Sequence, residues 1–389
     1  MKYIYLDYAA ATPMDPRVVM AMQPYFSQQF YNPSSIYLAG KAANQALAAA
    51  RSTVAQILGA RPGEVVFTAG ATEANNLAIQ GVMWAYPKGE ILVSAIEHES
   101  ILAPANIFNH RVVPVDNQGR VDLGKLEKMI NAKTILVSIG LVNNEIGTIQ
   151  PLADIAKILN KLSNLRGPKD LPLYLHTDAA QAPNYFDLHM SRLGVDLMTI
   201  NGGKIYGPKQ SGVLYVRAGV KLQPLILGGG QENGLRSGTE NVAGAIGFTT
   251  ALKLANTKRL SEAKRVTSLR QLFISGLKEN VPKATINGSG KYHAPHILSV
   301  TFAGYDNERL MMELDERGVQ TATGSACSAL HQTVQGSASS DEPSHVLAAI
   351  GLSEAEARST LRFSFGRATT EADIKKTIQL LGGFTSYKK

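Results

Sequence analysis

The sequence predicts an α/β fold with a mainly parallel central sheet, joined to a smaller α+β domain. Through roughly the first two thirds of the chain, short apolar runs alternate with segments of helical periodicity. Beyond about Thr257 that alternation gives way to a long helical stretch, a strand and short helices. At 389 residues the chain is also longer than one small core ordinarily supports.

The elements follow in order. Glu64-Val65-Val66-Phe67-Thr68 reads as a strand, Ala69-Gly70-Ala71-Thr72 as the turn after it, and Leu77, Ala78 and Val82 as apolar positions of the next helix. Ile91-Leu92-Val93 and Ile135-Leu136-Val137 are two more buried runs. Pro151 suits the first helical position after Gln150, and Ile155, Ile158, Leu159 and Leu162 then share one helical face. Leu173-Tyr174-Leu175, Leu197-Met198-Thr199-Ile200 and Val213-Leu214-Tyr215-Val216 complete the series. In the last third, a helical stretch through Ala263 and Leu272 leads to a strand at Ile297-Leu298-Ser299-Val300. A helix capped by Asp306 or Asn307 follows, with Leu310, Met311 and Leu314 inside, and Ser353 with Glu356 fits a capping box. The expected division is residues 14–256 for the large unit, and residues 1–13 with 257–389 for the small one.

Composition narrows the function classes. Hydrophobic residues make up 44% and charged residues 18%, an ordinary globular balance. The opening segment carries Asp7, lacks a long apolar core and has no signal-peptide layout, and no later apolar run is bilayer-long. A soluble, cytoplasmic protein is expected. The net charge of +8 is spread along the chain without a basic and aromatic stripe. That suits an anionic cofactor and acidic partners better than stable nucleic-acid binding. A single cysteine excludes an internal disulfide and any cysteine cluster for zinc or iron–sulfur ligation.

Several short strings could carry chemistry. In Thr68-Ala69-Gly70-Ala71-Thr72-Glu73 a strand ends in small residues and a helix begins, an arrangement able to hold an anion, although on this motif alone a plain turn with Thr72 as cap is favoured. Asp178 follows a strand at the end where α/β sheets bind ligands. There it either pairs with a ligand cation or caps a helix. Lys204 lies in Asn201-Gly202-Gly203-Lys204-Ile205-Tyr206-Gly207-Pro208-Lys209, whose glycines allow close backbone approach. So specific a string exceeds what a surface turn needs. Cys327 sits among small residues in Thr323-Gly324-Ser325-Ala326-Cys327-Ser328, before the polar stretch from Gln332 to Ser340, as an exposed and mobile nucleophile would. Alternation in Leu361-Arg362-Phe363-Ser364-Phe365 puts Arg362 opposite the apolar side chains, where it is either solvated or placed to grip a carboxylate. His98 follows a strand and by itself is equally readable as a buried, satisfied imidazole.

Together these strings resemble the cysteine desulfurases of the class V aminotransferase group, fold type I pyridoxal phosphate enzymes, in the branch that builds iron–sulfur clusters. The match runs in order along nearly the whole chain: Tyr5-Leu-Asp-Tyr-Ala-Ala-Ala-Thr-Pro13, Asn32-Pro-Ser-Ser35, Gly70-Ala-Thr-Glu73, Glu97-His98, Asn143-Asn-Glu-Ile-Gly147, His176-Thr-Asp-Ala-Ala-Gln181, Lys204-Ile-Tyr-Gly-Pro208, Arg236-Ser-Gly-Thr239, Gly324-Ser-Ala-Cys327 and Arg362-Phe-Ser364. The resemblance implies pyridoxal 5'-phosphate bound covalently through Lys204, with Asp178 on its ring nitrogen and His98 stacked on the ring as a possible proton shuttle. It implies Asn144 and Gln181 near the phenolic oxygen, and Ala71, Thr72 and Asn201 at the phosphate. Thr239 would complete that site from a second subunit, hence a homodimer. Arg362, helped by Asn32, would bind the carboxylate of L-cysteine, and Cys327 would take its sulfur as a persulfide. Acceptor proteins such as an iron–sulfur scaffold or a thiolation relay would then draw on it.

Two features depart from the family pattern. Where the family has Ser-x-His before the lysine, this chain has Asn201-Gly202-Gly203; Gly203 has no side chain, so one phosphate contact is absent or replaced. The segment from Leu330 to Ser340 is also longer than the family's. The rival functions are a selenocysteine lyase or another class V enzyme, and a non-catalytic sulfur-relay scaffold.

Overall fold

The computed structural model describes residues 3–324 and 343–386. Cys327 and the stretch from Leu330 to Ser340 lie outside the described residues.

The large sheet has seven strands in the order Val65–Thr68, Gly212–Val216, Leu197–Asn201, Tyr174–Asp178, Thr134–Ser138, Glu90–Ser94 and His110–Val113. Only Gly212–Val216 runs against the rest, pairing antiparallel with both neighbours. The remaining pairs are parallel. Every residue of Glu90–Ser94 and Thr134–Ser138 is buried, as expected of central strands covered by helices on both faces. The α/β class and the mainly parallel sheet expected from the sequence are borne out.

A four-stranded antiparallel sheet, in the order Ala322–Thr323, Thr360–Ser364, Ile297–Phe302 and Ala284–Asn287, builds the second core. Phe363 is fully buried there, its ring 4.9 Å from Phe273 and 6.4 Å from Phe302. The N-terminus belongs to this part: Ile4–Tyr5 pairs in parallel with Val319–Gln320, and the Ser364 N–H donates to the Leu6 carbonyl at 2.7 Å.

One 39-residue helix, Val242–Asn280, joins the two regions. Its first part sends Phe248, Ala251 and Leu252 into the core of the large sheet. Its second part sends Val266, Leu269, Phe273 and Leu277 into the core of the small one. A boundary at 256/257 therefore falls inside a continuous helix.

Local details agree with the sequence reading or differ for simple reasons. Asp306 is the cap of Asn307–Glu316, its carboxylate accepting from the Arg309 N–H at 2.8 Å, and Ser353 with Glu356 forms the expected capping box. Pro151 precedes the helix Leu152–Ser163 at its cap position (φ −81°, ψ 58°) instead of occupying the first turn. His110–Val113 was not legible as a strand: it is an edge, paired on one side only, and of its residues only Val113 is buried. Among the described residues no helix is long and apolar enough to cross a membrane.

Candidate active site

Parallel strands of an α/β sheet point their carboxyl ends to one side, and ligands collect there. The residues that end Tyr174–Asp178 and Leu197–Asn201, with the segments that follow Val65–Thr68, Glu90–Ser94 and Thr134–Ser138, help enclose a cavity of about 680 Å³. Its wall includes Ala71, Thr72, His98, Asn144, Asp178, Gln181, Asn201, Lys204 and Arg362, residues spread over most of the chain.

The helix Ala71–Ala85 opens one end of the cavity. Its cap is Gly70, not Thr72, with φ 137° and no side chain to satisfy the first-turn N–H groups. That backbone conformation is one glycine alone adopts readily, and it leaves the N–H groups of a long helix available to an anion.

Asp178 is the last residue of its strand, and its two oxygens do different things. Oδ1 accepts from the Ala180 N–H at 2.8 Å, the local turn that a capping role would predict, while Oδ2 accepts from the Asn75 side chain at 2.8 Å. Lys204 closes the 3₁₀ turn Gly202–Lys204. A side chain at Gly202 would meet Ser211 Oγ at 2.1 Å, so only glycine fits there. Thr12 donates its N–H to the Gly203 carbonyl at 3.1 Å, and Asn184 donates to that of Lys204 at 2.9 Å. The lysine therefore sits on a doubly anchored backbone. His98 caps the helix Glu99–Ala105, its Nδ1 accepting from the Ser100 N–H at 3.0 Å. Burial, reinforced by the Lys204 charge and opposed by Asp178, holds its pKa below the usual imidazole value.

On the opposite wall Arg362 is buried, donating from Nη1 to the Asn144 carbonyl at 3.1 Å and from Nη2 to Asp7 Oδ1 at 2.7 Å. Its Nε has no partner among the described residues. Gln181 donates to the Ala9 carbonyl at 2.9 Å and faces His296 Nε2 across 3.2 Å. Burial, with Lys204 and Arg362 adding to it, pulls the His296 pKa down to about 3, so that ring is neutral and donates to Gln181 Oε1. Among the described residues no group of histidine, cysteine, aspartate and glutamate is arranged to hold a metal.

One cavity wall thus gathers the start of a helix whose first N–H groups lack a capping side chain, a carboxylate, an amine, an imidazole and a guanidinium. A phosphorylated ring bearing a basic nitrogen and an aldehyde, with an amino acid carried on it, matches that set of charges. The family model described as aminotransferase class-V matches residues 4–377.

The chain belongs to the class-V aminotransferase family.

Among its relatives, cysteine desulfurase IscS of Dictyoglomus turgidum is 41% identical over 385 residues, covering 97% of this chain and 93% of that one. Of the solved structures, a NifS-like protein superposes with a TM-score of 0.89 at 32% identity over 99% of this chain and 100% of that one. SspA in complex with cysteine superposes with a TM-score of 0.78 at 35% identity, covering 93% and 98%. The family read from the motifs is the one these comparisons give.

Within this class-V chain, some sequence-derived residues do not reach the cavity. Asn32 is exposed and folds its Oδ1 back onto the Ser34 N–H at 2.8 Å; Thr239 is also exposed. Neither belongs to the cavity wall formed by one chain, and Gly203 is buried just behind it. Conversely, Asp7, Asn75, Ser100 and Glu97 hold the site together and were not singled out as site residues. Asp7 and Glu97 lie inside quoted motifs, but nothing in the sequence says what they touch; Asn75 reads as an ordinary helix position.

Glu97 carries a pH prediction. It lines the cavity fully buried, accepting from Ser94 Oγ at 2.5 Å and from the Gly140 N–H at 2.9 Å, and burial pushes its carboxyl up to about 7. A carboxyl with a folded-state pKa above its unfolded value binds more protons when folded, so stability falls as pH rises from the unfolded pKa to about 7. Glu97→Gln keeps the Ser94 and Gly140 donors on Oε1, loses the second contact of Gly140 N–H to Oε2, and is expected to flatten that slope, removing a penalty on the order of 3 kcal/mol at neutral pH. Urea unfolding at a series of pH values checks this, and an unchanged slope would contradict it.

Proposed function

We propose that this class-V aminotransferase is a pyridoxal-phosphate-dependent cysteine desulfurase that moves the sulfur of L-cysteine onto Cys327 as a persulfide and releases L-alanine. One observation carries the reading. Lys204, Asp178, His98 and Arg362 converge on a single cavity, and Gly324, which begins Gly324-Ser325-Ala326-Cys327, is part of the same wall. The names of the relatives and the cysteine complex of SspA support the substrate.

Pyridoxal phosphate, when bound, supplies an electron sink for the bonds at Cα of the amino acid it carries. The chain's residues do the rest. Ala71 and Thr72, in the first turn of their helix, would hold the phosphate, with Asn201 beside them. The Asp178 carboxylate, held by two donors, would pair with a proton on the ring nitrogen. Asn144 and Gln181 in the wall would serve the phenolic oxygen. Lys204 takes the Cα proton and returns it. Arg362, which lines the cavity, would bind the substrate carboxylate. The Cys327 thiolate attacks the substrate sulfur; an S–S bond forms as the Cβ–S bond breaks, and the carbon skeleton leaves as alanine once Cβ is protonated.

The same proposal includes a homodimer, a cytoplasmic setting, and an iron–sulfur scaffold or thiolation relay as acceptor. Exposed apolar side chains at Met20, Phe26, Phe30, Ile36 and Leu38 support a second copy, since so dense a set favours a covered surface. An exposed Thr239, outside its own cavity, is then available to the partner's phosphate site.

The departure at Gly203 yields a further expectation. A Cβ there would meet only Lys209 Cδ at 3.1 Å and Asn201 Oδ1 at 3.7 Å, and the Lys209 side chain can give way. Gly203→His restores the family's donor and is expected to tighten the cofactor about tenfold, the worth of one charge-assisted hydrogen bond. Absorbance titration of cofactor-stripped protein measures it; an unchanged or weaker affinity would show that this position does not serve the phosphate.

The deciding experiment for function is mass spectrometry after incubation with L-cysteine. A sulfur adduct on Cys327 is expected in cofactor-loaded wild type and not in Lys204→Ala. Its absence from the wild type would overturn the reading.

A further inference from the structure

His98 is usable either as an acid–base group that gains and loses a proton or as a fixed neutral ring, and the side chains behind it distinguish the two. Asn75 is fully buried and donates from Nδ2 both to Asp178 Oδ2 at 2.8 Å and to Ser100 Oγ at 2.8 Å. The amide orientation is fixed, because a carboxylate can only accept and the flipped oxygen would face it. Ser100 Oγ lies 2.8 Å from His98 Nδ1, and the Ser100 N–H already donates to that nitrogen at 3.0 Å. A nitrogen that accepts an N–H carries no hydrogen, so the Ser100 hydroxyl must donate to it as well. Every hydrogen in the set then has one place: from Asn75 to Asp178 and Ser100, and from Ser100 to His98.

We propose that Asn75 and Ser100 are positioning residues that hold His98 as the neutral imidazole with its hydrogen on Nε2, leaving proton transfer at Cα to Lys204. Protonating the ring would place a hydrogen on Nδ1 directly against the Ser100 N–H, a donor facing a donor inside a buried site. The charges around the ring are mixed: Lys204 and His345 oppose protonation, while Asp178 and Glu99 favour it. The two donors on Nδ1 add to the first pair, and burial acts in the same direction. Asn75 also links the tautomer of His98 to the Asp178 carboxylate, because the same amide group serves both. This inference rests on His98 facing the cofactor, but its test reads the ring itself and not sulfur transfer, so the two readings can fail separately.

The test is nitrogen NMR of the full-length, cofactor-loaded protein labelled at histidine, with the His98 signals assigned by their loss in His98→Gln. The wild-type ring is expected to show an unprotonated Nδ1 and a protonated Nε2 down to at least about pH 5.5, below the ordinary histidine midpoint. In Ser100→Ala, which removes the hydroxyl donor and keeps the backbone one, the His98 midpoint is expected to rise by about one pH unit. Asn75→Ala, which leaves Ser100 in place, is expected to move it in the same direction by less. A hydrogen on Nδ1 in the wild type, or a midpoint unchanged in Ser100→Ala, would overturn the proposal.

Discussion

Lys204→Ala is expected to lower alanine formation from L-cysteine by at least about 10⁴-fold, the upper range for a positioned general base that also anchors the cofactor. Lys204 is the only lysine in the described cavity wall, so no neighbouring amine can take over. The loss should be chemical, because the loop is held by backbone: Thr12 and Asn184 bond to the carbonyls of Gly203 and Lys204, and neither bond involves the lysine side chain. Unfolding midpoints close to wild type, alongside the lost turnover, are therefore expected. Alanine release measured with saturating cofactor checks it; turnover within tenfold of wild type would remove Lys204 from the chemistry.

Asp178→Asn is expected to cost about 10²- to 10³-fold in turnover, the scale of removing one preorganised electrostatic group. The carboxylate accepts on both oxygens, from Ala180 N–H and from Asn75. An asparagine offers one oxygen and one amide, so one of those donors would face another donor in a buried site. The substitution thus removes the charge proposed to pair with the ring nitrogen and disturbs the Asn75 link in the same step. A fall in turnover with little change in KM is the expected pattern, since the charge matters most as the reaction proceeds. Turnover unchanged under saturating cofactor and substrate would contradict the role given to Asp178.

Much of the fold was readable because it depends on local periodicity. Apolar runs such as Ile135-Leu136-Val137 fall in a fully buried strand. The alternation through Leu361, Phe363 and Phe365 sends those three into the small core and leaves Arg362 facing Asp7. Caps were readable for the same reason, since Asp306 and Ser353 act on N–H groups three residues away. The edge strand His110–Val113 was not, because a strand paired on one side and largely uncovered carries no apolar signature.

For the site, the sequence alone determined the class of chemistry: a lysine after a strand, a carboxylate at a strand end, a strand-to-helix turn of small residues, one cysteine among small residues, and an arginine on the polar face of a strand. Those are properties of residue type and short spacing, and they are what the family resemblance rests on. Only the tertiary structure decided which groups share a hydrogen bond. Asp7 meets Arg362 because the N-terminal segment pairs with Val319–Gln320 and bridges at Asp7 to Ser364 of the small sheet, bringing together residues 355 positions apart. Asn75 meets Asp178 across 103 positions because the helix Ala71–Ala85 packs over the parallel strands. Hydrogen bonds act over about 3 Å, whereas sequence patterns report only which face a side chain takes. The residue types gathered at the candidate site were therefore legible in the chain, and their hydrogen-bond partners and orientation were set by the fold.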